Sequence, residues 1–430
     1  MRIKKNKEPG TIETKRSDWA DLEIPLGKRT RKYRMLEILP GALSYTMILL
    51  LFVLSFISPI VGSYYLLLII ATTLVKAVGV VYRTVQGYNA TKRADKVDWH
   101  KRLADLEDPH GSYEKLMLVK SREFEFDEHV ENLKMISVGK DLVISEKELD
   151  DNGKTPKIVF PKPNEIYHAV IMVAYNEGLD TLIPTVEAVK KSSFPNERTI
   201  FVFGYEERGG EAMRENAKIL TEKFKDDFCQ FIPVMHPKDL KDEIQGKGPN
   251  LNYAAGELVN YVKKAKIPIE NVIVTSLDSD NKMSKWYLDY VAYQFIVHPN
   301  RQKLSYQPVS LFTNNIWDAP APMRIIAISN SFFNIISSMR SHTLKNFASH
   351  SQPLLALSQM GFWSKKTIVE DGHQYWRSLF YFHGDYEVLP IHVAIYQDAV
   401  IEETFLKTLK AQFIQLRRWD YGASDVAYVG

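Results

Sequence analysis

Two acidic clusters in this chain have the spacing of a metal-binding turn and of a catalytic base. Asp278 and Asp280 are separated by one serine and follow the apolar run 272–276. Two carboxylates at this spacing after a buried strand suit a divalent cation, Mg²⁺ or Mn²⁺, on a diphosphate. Glu370 and Asp371 come later, before a predicted helix, and offer a general base for an acceptor hydroxyl. Helix capping is the alternative for this second pair.

A third motif near the end of the sequence combines an amide, a cation and an indole. Gln415, Arg418 and Trp419 share one predicted amphipathic helix, roughly residues 403–419. Arg418 offers positive charge to a diphosphate, and Trp419 offers a flat apolar face on which a sugar can stack. An interfacial helix with an aromatic anchor is the alternative.

Further polar residues follow predicted strands or precede predicted helices. Tyr175 and Glu177 suit contacts to a base and a ribose, whereas helix capping by Asn176 is the alternative. Glu206 can accept a hydrogen bond from a nucleobase, or can lie in a solvated loop. Lys247, between two glycines before a helix, suits a phosphate, and a capped loop is again the alternative.

Strand-like and helix-like runs alternate between residues 161 and 400. The predicted strands are 167–173, 199–203, 228–234 and 271–277, and the predicted helices are 179–191, 211–224, 251–265 and 284–297. This alternation predicts an α/β domain with a mainly parallel sheet. Such sheets bind ligands at the carboxyl ends of their strands, where most of the candidate residues fall.

An uncharged stretch, residues 38–75, precedes this domain. It is too long for one bilayer crossing, which takes ~20 residues, and Pro59 and Gly62 interrupt it. We therefore predict two transmembrane helices, about 43–58 and about 63–81, joined by a very short turn. A buried hairpin of a soluble protein is the alternative, and the apolar run 47–54 argues against it.

Basic residues flank the apolar stretch, from Lys4 to Arg34 before it and from Arg83 to Lys96 after it. The connecting turn has none, so the positive-inside rule predicts a multi-pass protein of the cell membrane with both ends and the catalytic domain in the cytoplasm. The basic flanks suit membrane lipids. A net charge of +3 is too small to indicate nucleic acid as a partner.

The sequence thus divides into four predicted parts. They are a basic tail with two transmembrane helices (1–88), a polar linker (89–160) with a turn at 150–154, the α/β domain (161–400) and the amphipathic helix (401–430). One cysteine, Cys229, excludes an intramolecular disulfide and a Cys-rich zinc site.

With these motifs in this order, the chain resembles the inverting family 2 glycosyltransferases of the GT-A fold. The resemblance is to the membrane-embedded branch that includes cellulose and hyaluronan synthases, and it covers about residues 165–420. The matching positions are Tyr175, Asn176, Glu177, Lys247, Leu251, Asn252, Asp278, Asp280, Glu370, Asp371, Gln415, Arg418 and Trp419.

The resemblance implies a role for each part of the site. Tyr175 and Glu177 would hold the nucleoside, and Asp371 would be the catalytic base. The nucleotide and its metal would be held by Asp278 and Asp280. The residues that close over the diphosphate and the acceptor would be Gln415, Arg418 and Trp419.

The implied reaction transfers a sugar, with inversion, from a nucleotide diphosphate sugar to a hydroxyl of a polysaccharide or lipid-linked acceptor. A UDP-sugar is the expected donor, and Mg²⁺ or Mn²⁺ the expected cofactor. The alternatives are a sugar-phosphate nucleotidyltransferase and a non-catalytic scaffold that binds a nucleotide sugar. Where the family has a glycine-rich turn, this chain has Ser349 and His350, which we expect to contact the acceptor.

Overall fold

The computed structural model describes residues 22–24, 29–138 and 159–430. The basic residues from Lys4 to Lys28 and the turn predicted at 150–154 lie outside this described part. The helices are α1 (Arg31–Ile57), α2 (Pro59–Ala94), α3 (Trp99–Asp105), α4 (Pro109–Leu116), α5 (Phe126–Val138), α6 (Leu179–Lys190), α7 (Gly210–Phe224), α8 (Lys247–Lys264), α9 (Tyr287–Val297), α10 (Ala321–Ser338), α11 (Leu354–Gln359), α12 (Glu370–Tyr381), α13 (Phe405–Asp420) and α14 (Asp425–Val429). The strands are β1 (Tyr167–Ala174), β2 (Thr199–Glu206), β3 (Gln230–His236), β4 (Val272–Asp278), β5 (Lys282–Met283), β6 (Leu304–Leu311), β7 (His350–Pro353) and β8 (Glu387–Tyr396).

All of these strands form one sheet in the order β3-β2-β1-β4-β7-β6-β8-β5. Strands β1 to β4, β6 and β8 run in one direction, whereas β7 and β5 run in the other. The predicted α/β class with a mainly parallel sheet is therefore confirmed. Antiparallel β7, inserted between β4 and β6, was not predicted.

The sheet is covered on both faces, because alternate residues of β1 enter two different apolar clusters. Val170 and Met172 belong to one cluster, with side chains from α6, α7 and α9. Ala169 and Ile171 belong to the other, with side chains from α8 and α11. A strand buried on both faces has a continuous apolar sequence, which is why β1 and β4 are readable in the sequence.

The apolar stretch forms two long helices whose break lies where the sequence predicted it. Helix α1 begins where the Thr30 hydroxyl accepts a hydrogen bond from the Tyr33 amide, 3.2 Å away. The two helices meet at Ser58, and Pro59 takes the first position of α2, where its missing amide hydrogen costs no intrahelical hydrogen bond. Both extend beyond the predicted bounds, and no residue of α1 is buried. Length and apolar composition make both helices candidates for crossing a membrane.

The segment after α2, expected to be a polar linker, packs on the α/β domain. Helix α2 ends at Ala94, and the side chain of Asp98 caps a new helix, α3. The Trp99 ring stacks on Tyr290 of α9, with 3.5 Å between ring centres. His129 lies between the Tyr293 hydroxyl, 3.0 Å away, and Asp105.

One partly buried carboxyl in this segment titrates well above its ordinary range. Burial, reinforced by the charge of Glu128, raises the pKa of Glu125 from 4.5 to about 7, although a hydrogen bond from Tyr290 opposes the shift. The folded chain therefore holds this proton to higher pH than the unfolded chain. The free energy of unfolding should fall as pH rises from about 4.5 to about 7.

Glu125→Gln should remove this pH dependence while keeping an acceptor for Tyr290. We expect the variant to gain about 1–2 kcal/mol over the wild type at pH 8 and nothing at pH 4. Denaturant unfolding of the detergent-solubilised chain at a series of pH values measures this. Glu131→Gln, an exposed position on α5, the helix that begins directly after Glu125, is the control. Parallel curves for wild type and Glu125→Gln would contradict the assignment.

Candidate active site

Lys247, the first residue of α8, forms ion pairs with carboxylates from two other elements. Its Nζ lies 2.6 Å from Asp278 Oδ1, at the end of β4, and 3.4 Å from Glu370 Oε1, at the start of α12. Burial alone would lower the pKa of Lys247, but the charges of Asp278, Glu370 and Asp371 outweigh it and raise that pKa. One ammonium thus joins the two acidic motifs that the sequence singled out.

The two adjacent acids of α12 occupy different environments. Glu370 is 4% exposed, and burial raises its pKa to about 7 against the opposing charge of Lys247. Asp371 is half-buried, and its two oxygens accept hydrogen bonds from the amides of Ala348, 2.5 Å away, and Gly372, 2.8 Å away. Asp371 is therefore the more accessible carboxylate, and the backbone fixes its orientation.

The acidic turn after β4 carries negative charge that Lys247 does not balance. Burial, followed by the charges of Asp278 and Asp398, raises the pKa of Asp280 to about 7. Among the described residues, no three His, Cys, Asp or Glu side chains are grouped as metal ligands. Mg²⁺ is commonly held by only one or two carboxylates together with substrate phosphates and water. Asp278 and Asp280 fit such a cation, because it would supply the missing positive charge.

The loops after β1 and β2 meet through Arg208, a residue to which the sequence analysis gave no role. Its Nε lies 2.5 Å from Glu206 Oε2, and its guanidinium lies 4.6 Å from the centre of the Tyr175 ring. It also donates to Gln245 Oε1 at 3.0 Å, just before α8. In the sequence, the opposite charges of Glu206 and Arg208, two residues apart after a predicted strand, could have indicated this ion pair.

The Glu177 side chain forms hydrogen bonds with the backbone of its own loop. Its Oε2 accepts hydrogen bonds from the amides of Tyr175, 2.7 Å away, and Asn176, 3.0 Å away. The Tyr175 side chain is exposed on the same loop. The structure thus places Tyr175 and Glu206 around Arg208, with Glu177 shaping the loop that presents the tyrosine.

The expectation that Ser349 or His350 contacts an acceptor is wrong, because both side chains are buried. Ser349 Oγ accepts from Asn281 Nδ2, 2.7 Å away, and from the Asp278 amide, 3.3 Å away. Burial, reinforced by the charge of Lys247, lowers the pKa of His350 to about 4. Ser349 supports the acidic turn from inside the sheet, and His350 lies in the interior beside it.

The third motif lies on α13, and one of its residues, Trp419, contacts the loop after β6. Trp419 is 37% exposed and meets Phe312 edge-on, with 6.2 Å between ring centres. Two residues on, Asn314 donates to the Asp280 carbonyl oxygen at 3.3 Å. Arg418 is exposed and has no ion pair within the described part of the chain. The structure thus links Trp419, through the loop after β6, to the acidic turn.

Among known proteins, the comparisons found similarity to solved structures only. No family model and no curated protein matches the chain. The mannosyltransferase PcManGT from Pyrobaculum calidifontis, in complex with GDP-Man and Mn²⁺, is 14% identical over 69% of this chain and 81% of its own, with a TM-score of 0.39. S. aureus TarS 1-349 in complex with UDP-GlcNAc is 15% identical over 55% of this chain and 60% of its own, with a TM-score of 0.35. Similarity of this size does not by itself establish a shared fold or function.

Replacing Lys247 by methionine should destabilise the chain at alkaline pH. Two carboxylates would lose their shared cation, and removing one partner of a buried pair costs about 3–5 kcal/mol. Protonation of Glu370 below its pKa of about 7 should recover part of this loss at pH 5. Thermal unfolding at pH 5 and pH 8 measures the difference.

Lys365→Met is the matched control, because Lys365 pairs with Glu243 at 2.7 Å and is more exposed. We expect it to cost about 1 kcal/mol or less at both pH values. An equal loss in both variants would contradict a special role for Lys247.

Proposed function

We propose that this chain is an inverting glycosyltransferase of the family 2 type, acting on a nucleotide diphosphate sugar. The observation that carries the proposal is the arrangement around Lys247. Lys247 pairs with Asp278 in the acidic turn at the end of β4 and with Glu370 at the start of α12, where the next residue is the backbone-held Asp371. In such a site, the residues that would hold the metal and the diphosphate are different from the residue that would take the acceptor proton.

In the proposed reaction the donor diphosphate lies against the turn of Asp278 and Asp280, the two residues that would hold Mg²⁺ or Mn²⁺. The cation, when bound, neutralises charge that grows on the leaving diphosphate. Lys247 and Arg418 add positive charge beside the same group. Tyr175 offers its exposed ring to the nucleoside of a UDP-sugar.

Asp371 takes the acceptor proton as the hydroxyl attacks the anomeric carbon. We assign the base to Asp371 rather than to Glu370, because Glu370 is buried and paired with Lys247. Attack from the side opposite the diphosphate inverts the anomeric configuration. The leaving group is a nucleoside diphosphate, and the proton passes to Asp371.

The same proposal places the reaction at a membrane, on its cytoplasmic face. No residue of α1 is buried, and Phe56 at its end is 91% exposed. A surface this apolar is typical of contact with lipid. Helices α10 and α13 expose further large apolar side chains, namely Ile325, Ile328, Phe332, Phe333, Phe405, Leu406, Leu409, Phe413 and Ile414. We infer that they rest on the same membrane, where a polysaccharide or lipid-linked acceptor would lie.

Two other functions differ from glycosyl transfer in what the protein would release. A sugar-phosphate nucleotidyltransferase would release pyrophosphate, and it gives no role to the exposed apolar helices or to Trp419. A non-catalytic scaffold would bind a nucleotide sugar without turnover. The proposal favours transfer, because Asp371 is an accessible carboxylate that two backbone amides hold in one orientation, which is what a general base for an acceptor hydroxyl requires.

Asp371→Asn should abolish most of the transfer while leaving donor binding intact. Asparagine keeps the shape and cannot accept a proton, so kcat should fall by about 10²–10⁴-fold with little change in donor KM. Nucleoside diphosphate release in the presence of acceptor measures this.

Asp385→Asn is the control, since Asp385 is exposed and pairs with Lys303. Unchanged kcat in Asp371→Asn, or a product that retains the donor's anomeric configuration, would overturn the assignment of the base.

A further inference from the structure

A short segment near the start of the chain, residues 22–24, packs on the helix that carries the acidic pair. Leu22 is buried against Ala356 and Met360, with Tyr381 and Phe382 beside them. These partners lie on α11, on α12 and directly after each of the two helices. The segment that precedes the first apolar helix is therefore part of the back wall of the catalytic domain.

The central contact of this segment is an ion pair between Glu23 and Arg377 of α12. The Arg377 side chain is 0% exposed, and Ser364 Oγ donates to Glu23 Oε2 at 2.7 Å. Arg377 also donates to the Met360 carbonyl oxygen at 2.9 Å. Among the described residues, Glu23 is the carboxylate paired with this guanidinium. A buried guanidinium without its carboxylate is strongly unfavourable.

The C-terminal helix α14 covers the segment and α12 together. The Tyr428 hydroxyl donates to the Leu22 carbonyl oxygen at 2.9 Å. Its ring meets His373 of α12, with 4.4 Å between ring centres. Asp425 Oδ1 lies 2.8 Å from His373 Nδ1. Both ends of the described chain thus meet on one helix.

These contacts form a row along the buried face of α12. Glu370, His373 and Arg377 lie three and four residues apart, which places them on one side of a helix. Their partners come from three separate parts of the chain: Lys247, Asp425 and Glu23. One polar contact at each turn fixes the rotation of α12 about its axis, and that rotation sets where Asp371 points.

We propose that Glu23 is a positioning residue for Asp371. By neutralising Arg377, it holds α12 in the rotation that presents the aspartate to the acceptor. This role rests on the proposed function, in which Asp371 is the base. It also makes the segment before the first apolar helix a working part of the catalytic domain.

Hydrogen exchange on the full, detergent-solubilised chain tests the positioning directly. In Glu23→Gln we expect amides of residues 370–381 to exchange about tenfold faster than in the wild type, because α12 loses one of its three fixed contacts. Glu23→Asp keeps the charge and should recover much of the protection. Glu387→Gln, an exposed glutamate at the start of β8, should exchange like the wild type over α12. Wild-type protection of α12 in Glu23→Gln would overturn the proposal.

Kinetics separate positioning from a purely structural role. Glu23→Gln should lower kcat by roughly 10–100-fold while donor KM stays within about twofold, and Glu23→Asp should restore kcat. An active wild type with equal kcat in Glu23→Gln overturns the positioning role and leaves the proposed function standing. A wild type that transfers no sugar overturns the proposed function, and hydrogen exchange then still decides whether Glu23 holds α12.

A double variant keeps the test valid if Glu23→Gln is too unstable to purify. Glu23→Gln combined with Arg377→Gln removes both charges and leaves neither unpaired. We expect its α12 to be better protected than in Arg377→Glu, which places two acids together. Equal exchange in these two variants would overturn the pairing.

Discussion

The site depends on one ammonium group that balances acids from separate elements. Lys247 begins α8, Asp278 ends β4 and Glu370 begins α12, so the two ion pairs join three pieces of chain. Without this cation, the carboxylates at this edge of the sheet would repel one another at low dielectric. Burial is the main cause that raises the pKa values of Asp280 and Glu370 to about 7, and the charges of neighbouring aspartates add to it. In the reaction that we propose, these clustered carboxyl groups would receive a divalent cation and lie beside the base that takes the acceptor proton.

The surrounding structure holds the acids in place through neutral and charged contacts. Ser349 and Asn281 support the acidic turn from inside, and the Ala348 amide fixes Asp371. Glu23 and Asp425 contact Arg377 and His373 of α12, the helix that also carries Asp371. Helix α1 begins at Arg31, eight residues after Glu23, so the helices that we propose to cross the membrane lie close in sequence to the segment that packs on α12.

Much of the sheet could be predicted from the sequence, because β1 and β4 are buried on both faces and therefore read as unbroken apolar runs. Asp278 and Asp280 were recognised because they follow such a run, whereas Glu370 and Asp371 were recognised as an acidic pair before a predicted helix. The ion pairs of Lys247 bring three predicted residues together, but no local signal gave their distances. Arg208 was missed because its contacts with Tyr175 and Gln245 join parts of the chain that meet only in the fold.

Other features could not be predicted because they depend on contacts between distant parts of the sequence. The antiparallel insertion of β7 is too short to show an alternating pattern. The burial of Ser349 and His350 depends on where that strand lies. The pairing of Glu23 with Arg377 joins positions 354 residues apart.

The central claim is that the acidic turn binds a metal and a sugar nucleotide for transfer. The most direct test is release of nucleoside diphosphate by the purified, detergent-solubilised chain, with a panel of nucleotide sugars and an acceptor membrane extract. Mg²⁺ or Mn²⁺ is added first and a chelator afterwards. The account predicts metal-dependent release from one donor, lost in Asp280→Ala. Release that survives both the chelator and Asp280→Ala, or release of pyrophosphate from a nucleoside triphosphate and a sugar phosphate, would contradict it.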